Sequence, residues 1–367
     1  MMLDQFQIPK GDEIRVDSDS LRDVVKQIFL KCEVPYDQAE TGSDVLISTD
    51  LRGVDTHGVS NMLRIYVKDY QDGKLNPSPN LKTIKDNIST INIDGDNGLG
   101  IMQGPYAMNI AIEKAQKTGV GIVTLFNSGH IGAVGHHAMI AADKGMVGIC
   151  LTAGGTLVLP TFAKETRIGT NPISLAAPSE KYPYFLFDAA MSSIAGNKVR
   201  LVARNGTKLS PGSIGDNQGI PIMDSVGVAA SEDFINIPPL LPLGGNRDQG
   251  SHKGYGLSLF VEILCTLLSG NVPNMVDPNG KLCHFFAAFN IEAFTDYYKF
   301  ISNMDQMLKT LLQTPSIDES ERVIYPGIIE HENQLDRIKN GIPLHKEVVE
   351  WFDNISNKMS IDKLSIF

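Results

Sequence analysis

Two apolar runs rich in β-branched residues, GVGIVTLF over residues 119–126 and GMVGICLT over residues 145–152, are separated by a stretch of helix-forming sequence from His137 to Lys144. Runs this uniformly apolar read as buried strands rather than half-exposed ones. A helix between two buried strands implies a crossover connection over a sheet, so the centre of the chain is expected to be a mixed α/β domain.

The flanks follow a different period. Leu21, Val24, Val25, Ile28 and Phe29 recur at three and four, and Val45, Leu46 and Leu51 continue the pattern, which predicts helices from about Ser20 to Asp72. GKLNPSPN interrupts them because Pro77 and Pro79 cannot continue a helix. The segment LKTIKDNISTINIDGDNGLG alternates as a strand pair does, and helix is expected again from Tyr106 to Gln116 and from Tyr255 to Leu268, with a strand at Tyr184–Phe187. After about Ile291 charged, amphipathic helices return. With 367 residues the chain exceeds the size at which one core keeps growing. The expected division is a helical domain made from both chain ends (residues 1–80 plus 291–367) around an α/β domain (residues 81–290).

Composition removes several function classes. The formal charge is −10 and the basic residues are dispersed, so no surface for a nucleic-acid backbone is expected. Cys32, Cys150, Cys265 and Cys283 form no CxxC pair and read as reduced thiols of a cytoplasmic protein. MMLDQFQIPKGDE has no basic leader ahead of an apolar stretch, and Ser258 and Glu262 interrupt the longest apolar run, so neither secretion nor a membrane span is expected.

Familiar chemical signatures fail in turn. Gly98, Gly100 and Gly104 have one residue too many for GxGxxG, and Gly119 and Gly121 lack the third glycine. No GxSxG elbow exists. His331-Glu332 has no histidine at position 335, and although His130 and His137 can share a helix face they have no local third ligand, so no metal is expected; His136 and His137 read more simply as a helix surface pair.

What remains is a set of candidate proton and anion handlers. In DTHGVSNMLRIYVKDY, helical phase puts Val59, Met62, Leu63, Tyr66, Val67 and Tyr70 on one apolar stripe and Asn61, Arg64 and Lys68 opposite, with His57 joining them if the helix extends back past Gly58. Such a face suits a small carboxylic acid, held by arginine and protonated by histidine; a solvated helix surface is the plainer alternative. His130 lies at a strand-to-helix junction among Gly129, Gly132 and Gly135, which suits either a ligand cleft or a histidine satisfied by turn carbonyls. Asp188 ends a strand and can face a ligand or cap a helix. Lys253 precedes an apolar helix, where it can meet a phosphate together with the helix N-terminus.

The segments DLRGVDTHGVS, NSGHIGAVG, KETRIGTNPISLAAPS, FDAAMSS, LPLGGNRDQGSHKGYGLSL and YPGIIE, in this order, resemble the type 2 malate/L-lactate dehydrogenase family, which also holds ureidoglycolate, sulfolactate and diketogulonate oxidoreductases. The likeness runs from about Leu21 to Trp351. It implies a non-Rossmann α/β sheet domain beside a helical domain, usually in a homodimer, and hydride transfer between NAD or NADP and C2 of a 2-hydroxy or 2-oxo acid. Carried over by motif, His130 exchanges the proton and His57 orients the substrate, or the reverse. The cofactor would lie against Gly169, Thr170, Asn171, Pro172, the Asp188-Ala189-Ala190 turn, His252, Lys253 and Gly327.

Two departures stand out. Many relatives carry arginine four residues after the first histidine and tyrosine eight after it, where this chain has Asn61 and Ile65, leaving Arg64 as the expected carboxylate anchor. Gly154 replaces a serine found at a cofactor contact in some relatives. Malate is the expected substrate, with lactate, sulfolactate or a ureido acid as alternatives within the family and a non-catalytic nucleotide-binding sensor as the alternative outside it.

Overall fold

The computed structural model describes residues 4–228, 237–318 and 321–367. Strand β1 (Glu13–Val16) leads into α1 (Ser18–Lys31), α2 (Tyr36–Leu51) and α3 (Val59–Gln71). The predicted strand pair follows as β2 (Lys82–Asp86) and β3 (Thr90–Asp94), then α4 (Gly100–Thr118), β4 (Val120–Ser128), α5 (Val134–Ala142) and β5 (Met146–Ala153). After β6 (Ile173–Ala177) and β7 (Phe185–Ala189) come α6 (Gly196–Asn205), a short ribbon of β8 (Lys208–Leu209) and β9 (Val226–Gly227), and α7 (Ser251–Glu262), which runs on as a π-helical turn over Ile263–Leu267. The chain closes with β10 (Leu282–Asn290), α8 (Tyr297–Leu312), α9 (Ile328–Asn340), β11 (Ile342–His345) and α10 (Lys346–Met359).

Seven strands form one mixed sheet in the order β2-β3-β4-β10-β5-β6-β7. The two apolar runs are β4 and β5, but β10 is inserted between them and pairs antiparallel with both, so α5 crosses over an intervening strand. Within this sheet β3 and β4 pair in parallel, through α4, and every other neighbouring pair of strands is antiparallel. This arrangement differs from the parallel, doubly wound sheet that carries a Rossmann turn.

Both ends of the chain meet in one core. Strand β1 pairs with β11, and Leu21, Phe29, Leu46 and Leu63 pack with Leu344, Val348 and Phe352. Helix α8 lies elsewhere: Leu308 packs with Tyr325, Ile328, Tyr182 and Phe185 beside β7.

Helix α4 begins at Gly100, six residues ahead of the expected Tyr106, and the glycines that failed the dinucleotide fingerprint explain why. A Cβ on Gly100 would lie 2.6 Å from the Gly129 carbonyl, and one on Gly104 would lie 2.5 Å from the His137 ring. These positions let α4 press directly onto the loop that carries His130.

Candidate active site

His130 stands in the short loop between β4 and α5, and its orientation is fixed by the atoms around Nδ1. The Gly132 N–H donates to that nitrogen at 3.1 Å and the Tyr66 hydroxyl lies 2.7 Å from it. A backbone N–H can only donate, so Nδ1 keeps its lone pair and the neutral ring carries its hydrogen on Nε2. Burial pushes the Tyr66 phenol well above its ordinary range, which keeps it protonated and able to donate to the same nitrogen.

Two further imidazoles, both fully buried, hold this loop. His284 Nε2 donates to the Gly129 carbonyl at 3.2 Å while its Nδ1 lies 2.7 Å from the Thr152 hydroxyl, and His137 Nε2 donates to the Ile131 carbonyl at 2.9 Å. The expected surface pair is therefore corrected: His137 is interior, and His136 is half-buried with Nδ1 3.2 Å from the Ser48 hydroxyl. Helix α5 starts at Val134, so His130 lies outside it and shares no helix face with His137.

His57 is likewise outside its helix, since α3 starts at Val59. The turn before it is tied down by charge. Asp50 Oδ2 accepts the Val59 N–H at 2.8 Å, and a Cβ on Gly58 would fall 1.8 Å from Asp50 Oδ1, so only glycine fits there. Arg337 reaches from α9 to grip both oxygens of Asp55 and the Asp50 carbonyl. Thr56 Oγ1 lies 2.8 Å from His57 Nδ1.

The two loops bring His57 and His130 into a parallel stack, with ring centroids 5.7 Å apart and planes 5° from parallel. Burial, then the charges of Lys198 and Arg200, push His57 down to about 4. Burial, then His57, His284 and Arg200, push His130 down to about 3. Both rings are neutral at neutral pH, and two parallel rings this close oppose simultaneous protonation.

Arg64 does not face this pair. Its Nη1 and Nη2 engage Glu347 Oε1 and Oε2 at 2.7 and 3.3 Å, and its guanidinium stacks 5.3 Å from the Trp351 ring. The helical phase that sets Arg64 opposite the apolar stripe turns it toward α10, which corrects its expected role as the substrate's anchor. Asn61 is buried rather than solvated; it donates to the Asp55 carbonyl at 2.9 Å and accepts from Arg204 at 3.2 Å.

Asp188 accepts the Gly135 N–H at 2.7 Å, so it caps the first turn of α5 from across the sheet. The protein around it raises its carboxyl to about 6, although the residue keeps an exposed face.

The segments expected at the cofactor converge. The Met191 N–H donates to the Thr170 carbonyl at 2.8 Å, and Ile173 pairs with Ala189, which sets the Gly169–Pro172 turn beside the Asp188–Ala190 turn. Asn171 joins this turn to α7, with Nδ2 3.1 Å from both the Ser258 carbonyl and Glu262 Oε1. The Leu243 N–H donates to the Met191 carbonyl at 2.9 Å, and the first turn of α7, with exposed His252 and Lys253, packs on Leu243. Gly327, at φ +102°, starts α9 against Tyr184 and Leu186 of the same region.

These residues fit a dinucleotide. Gly155 opens onto empty space, with no atom within 4 Å of a built Cβ, and the exposed cation of Lys253 stands in the first turn of α7, at the positive end of the helix. Gly154 has φ +145°, which a serine would adopt only with strain, so its replacement of serine has a backbone reason.

Sequence reasoning missed Tyr66, counted as one more apolar residue of α3, and His284, whose signal was a single imidazole inside the apolar run CHFFAAF. It also missed Lys198 and Arg200 on α6.

Comparison with known proteins identifies the family. The family model for malate/L-lactate dehydrogenase matches residues 16–353. A malate dehydrogenase of Pyrococcus abyssi is 38% identical over 96% of this chain and 97% of its own length. An L-sulfolactate dehydrogenase of Methanocaldococcus jannaschii is 32% identical over 92% and 95%. The structure of malate dehydrogenase from Pyrococcus horikoshii superposes with a TM-score of 0.85 at 35% identity, covering 98% of this chain and 99% of that one. A matched family model over nearly the whole length, with the same fold in solved relatives, makes this chain a member of the malate/L-lactate dehydrogenase family.

Proposed function

We propose that this protein is an NAD(P)-dependent dehydrogenase that interconverts a 2-hydroxy acid and its 2-oxo acid, with malate and oxaloacetate as the first pair to test. The reading is carried by the stacked, neutral His57–His130 pair, one ring of which has its tautomer set by a backbone donor. Two relatives named malate dehydrogenase, at 38% and 37% identity, favour malate within the family.

When bound, the nicotinamide supplies hydride chemistry at C2 of the acid. Gly169, Thr170, Asn171, Pro172, the Asp188–Ala190 turn and Gly327 would hold the cofactor, with His252 and Lys253 at its phosphates. The chain's own task is then to orient the oxygen on C2 and move one proton to or from it. His130 presents Nε2–H as a fixed donor to that oxygen. With its Nδ1 lone pair already held by Gly132, it has no free nitrogen to accept a proton, so we assign the exchange to His57, whose ring is met by a hydroxyl that can donate or accept. This inverts the roles the sequence favoured. In oxidation neutral His57 takes the hydroxyl proton; in reduction it returns it.

Two coarser features belong to the same proposal. Leu257, Phe260, Ile263 and Leu267 form an exposed apolar stripe along α7 and its π turn, which a second copy of the chain would cover in a homodimer. The unpaired thiols of Cys32, Cys150, Cys265 and Cys283 suit the cytoplasm.

The test follows the absorbance of NADH and NADPH with oxaloacetate, pyruvate and 3-sulfopyruvate. Turnover with oxaloacetate ahead of the others supports the reading. Tight cofactor binding without turnover on any of the three would replace it with a nucleotide-sensing role.

A further inference from the structure

We propose that Arg200 on α6 is the residue that anchors the substrate carboxylate. This inference rests on the reading of His57 and His130 as the reacting pair.

Three contacts fix where Arg200 stands. Asn197, Arg200 and Arg204 recur at three and four along α6 and share one helix face. At one end of that face Asn197 Nδ2 contacts Met62 Sδ at 3.1 Å, and at the other Arg204 donates to the Ser60 carbonyl at 3.0 Å and to Asn61 Oδ1 at 3.2 Å. The face therefore lies along the first turn of α3, immediately after His57, and Arg200 occupies its middle. Arg200 Nη1 bonds Asn197 Oδ1 at 2.5 Å, which orients the guanidinium.

The charge of Arg200 is felt at the same pair of rings. Among the described residues Arg200 is the one cation whose charge acts on both His57 and His130. Lys198 acts on His57 alone and sits 4.9 Å over the Phe6 ring. A planar guanidinium whose charge acts on both imidazoles matches the two oxygens of the carboxylate bonded to C2.

The position has a second consequence. A carboxylate arriving on Arg200 offsets the positive charge that holds His57 down, so anion binding raises the proton affinity of the ring that must exchange a proton. The groups acting on His57 are Lys198 and Arg200 from α6, with His130 stacked on its face.

The experiment compares Arg200→Gln, Arg200→Lys, His57→Gln and His130→Gln as full-length protein. For Arg200→Gln, KM for oxaloacetate and the inhibition constant of oxamate, a carboxylate probe, should both rise about 10- to 100-fold, the scale of a lost charge-assisted hydrogen bond. NADH affinity should stay within about twofold of wild type. The pKa read from the pH profile of kcat/KM should move upward, because removing a nearby cation favours protonated His57. Arg200→Lys keeps the charge without the fork and should restore the pH profile but only part of KM. Should Arg200→Gln fail to fold, Arg200→Lys decides, since an unchanged KM and oxamate inhibition would by themselves overturn the proposal. Unchanged KM and pH profile in Arg200→Gln, while His57→Gln and His130→Gln lose turnover, would overturn the anchor and leave the reaction standing. Normal turnover in both histidine variants would overturn the underlying reading instead.

Discussion

The loops carrying His57 and His130 perform the same task, holding an imidazole at one face of the site, by opposite physical means. The His130 loop is tied by neutral groups: its Gly129 and Ile131 carbonyls accept from His284 and His137, and its glycine neighbours let α4 press against it. The His57 loop is tied by an ion pair, Arg337 on Asp55, with the buried carboxyl of Asp50 accepting from the first turn of α3. Neutral pins inside a sheet fix a tautomer, as Gly132 does for His130. At the edge of the helical bundle His57 Nδ1 meets the Thr56 hydroxyl, a partner that can donate or accept, as a proton carrier requires.

The largest break in this comparison is expected at Arg337. Replacing it with leucine strands Asp55 beside buried Asp50, and losing one partner of such a pair costs about 3–5 kcal/mol. Thermal denaturation should show that loss, with kcat falling because the His57 turn loosens. A smaller effect, about 1 kcal/mol or more, is expected from His284→Leu, which leaves the buried Gly129 carbonyl with the long 3.5 Å contact from Ser128 Oγ in place of the imidazole N–H. In that variant NADH binding should be preserved and kcat reduced, because His130 loses its orientation.

The two loops should also fail at opposite ends of the pH scale. Burial pushes His137 down to about 4 and His284 to about 3, from an ordinary 6.5. The unfolded chain takes up protons that these folded rings refuse, so their contribution is complete above 6.5 and lost as pH falls through about 4 for His137 and about 3 for His284. Tm should drop across that window, and His284→Leu should flatten the drop. Asp50 behaves in reverse: burial, then the charge of Asp55, raise its carboxyl from 3.8 to about 8, and its Oδ1 has no partner among the described residues. Its contribution is complete below 3.8 and lost as pH rises through about 8. Asp50→Asn keeps an oxygen for the Val59 N–H, so its Tm relative to wild type should rise steadily between those limits. A flat difference would mean that Asp50 is ionised in the folded protein.

The sequence made the sheet legible because GVGIVTLF at β4 and GMVGICLT at β5 are predominantly apolar runs, and α1 because Leu21, Val24, Val25, Ile28 and Phe29 keep a helical period. It did not reveal that β10 separates β4 from β5, since CHFFAAF carries no mark of which strands it pairs with. Of the site, the histidines in DTHGVS and NSGHIGAVG stood out by their glycine neighbours, and the structure stacks them. Arg64 misled because helical phase tells which residues share a face but not what that face meets; only the fold puts Glu347 there. Tyr66 was hidden for the same reason, its hydroxyl being the polar tip of an otherwise apolar stripe.

The most direct measurement is the pH dependence of kcat/KM for oxaloacetate reduction in His57→Gln beside His130→Gln. If His57 carries the proton, His57→Gln should lose about 10²–10⁴ in rate and its residual activity should show no ionisation of the proton-donating group. His130→Gln should be slower than wild type yet keep that ionisation. The opposite pattern, with the ionisation surviving in His57→Gln and vanishing in His130→Gln, would contradict the assignment.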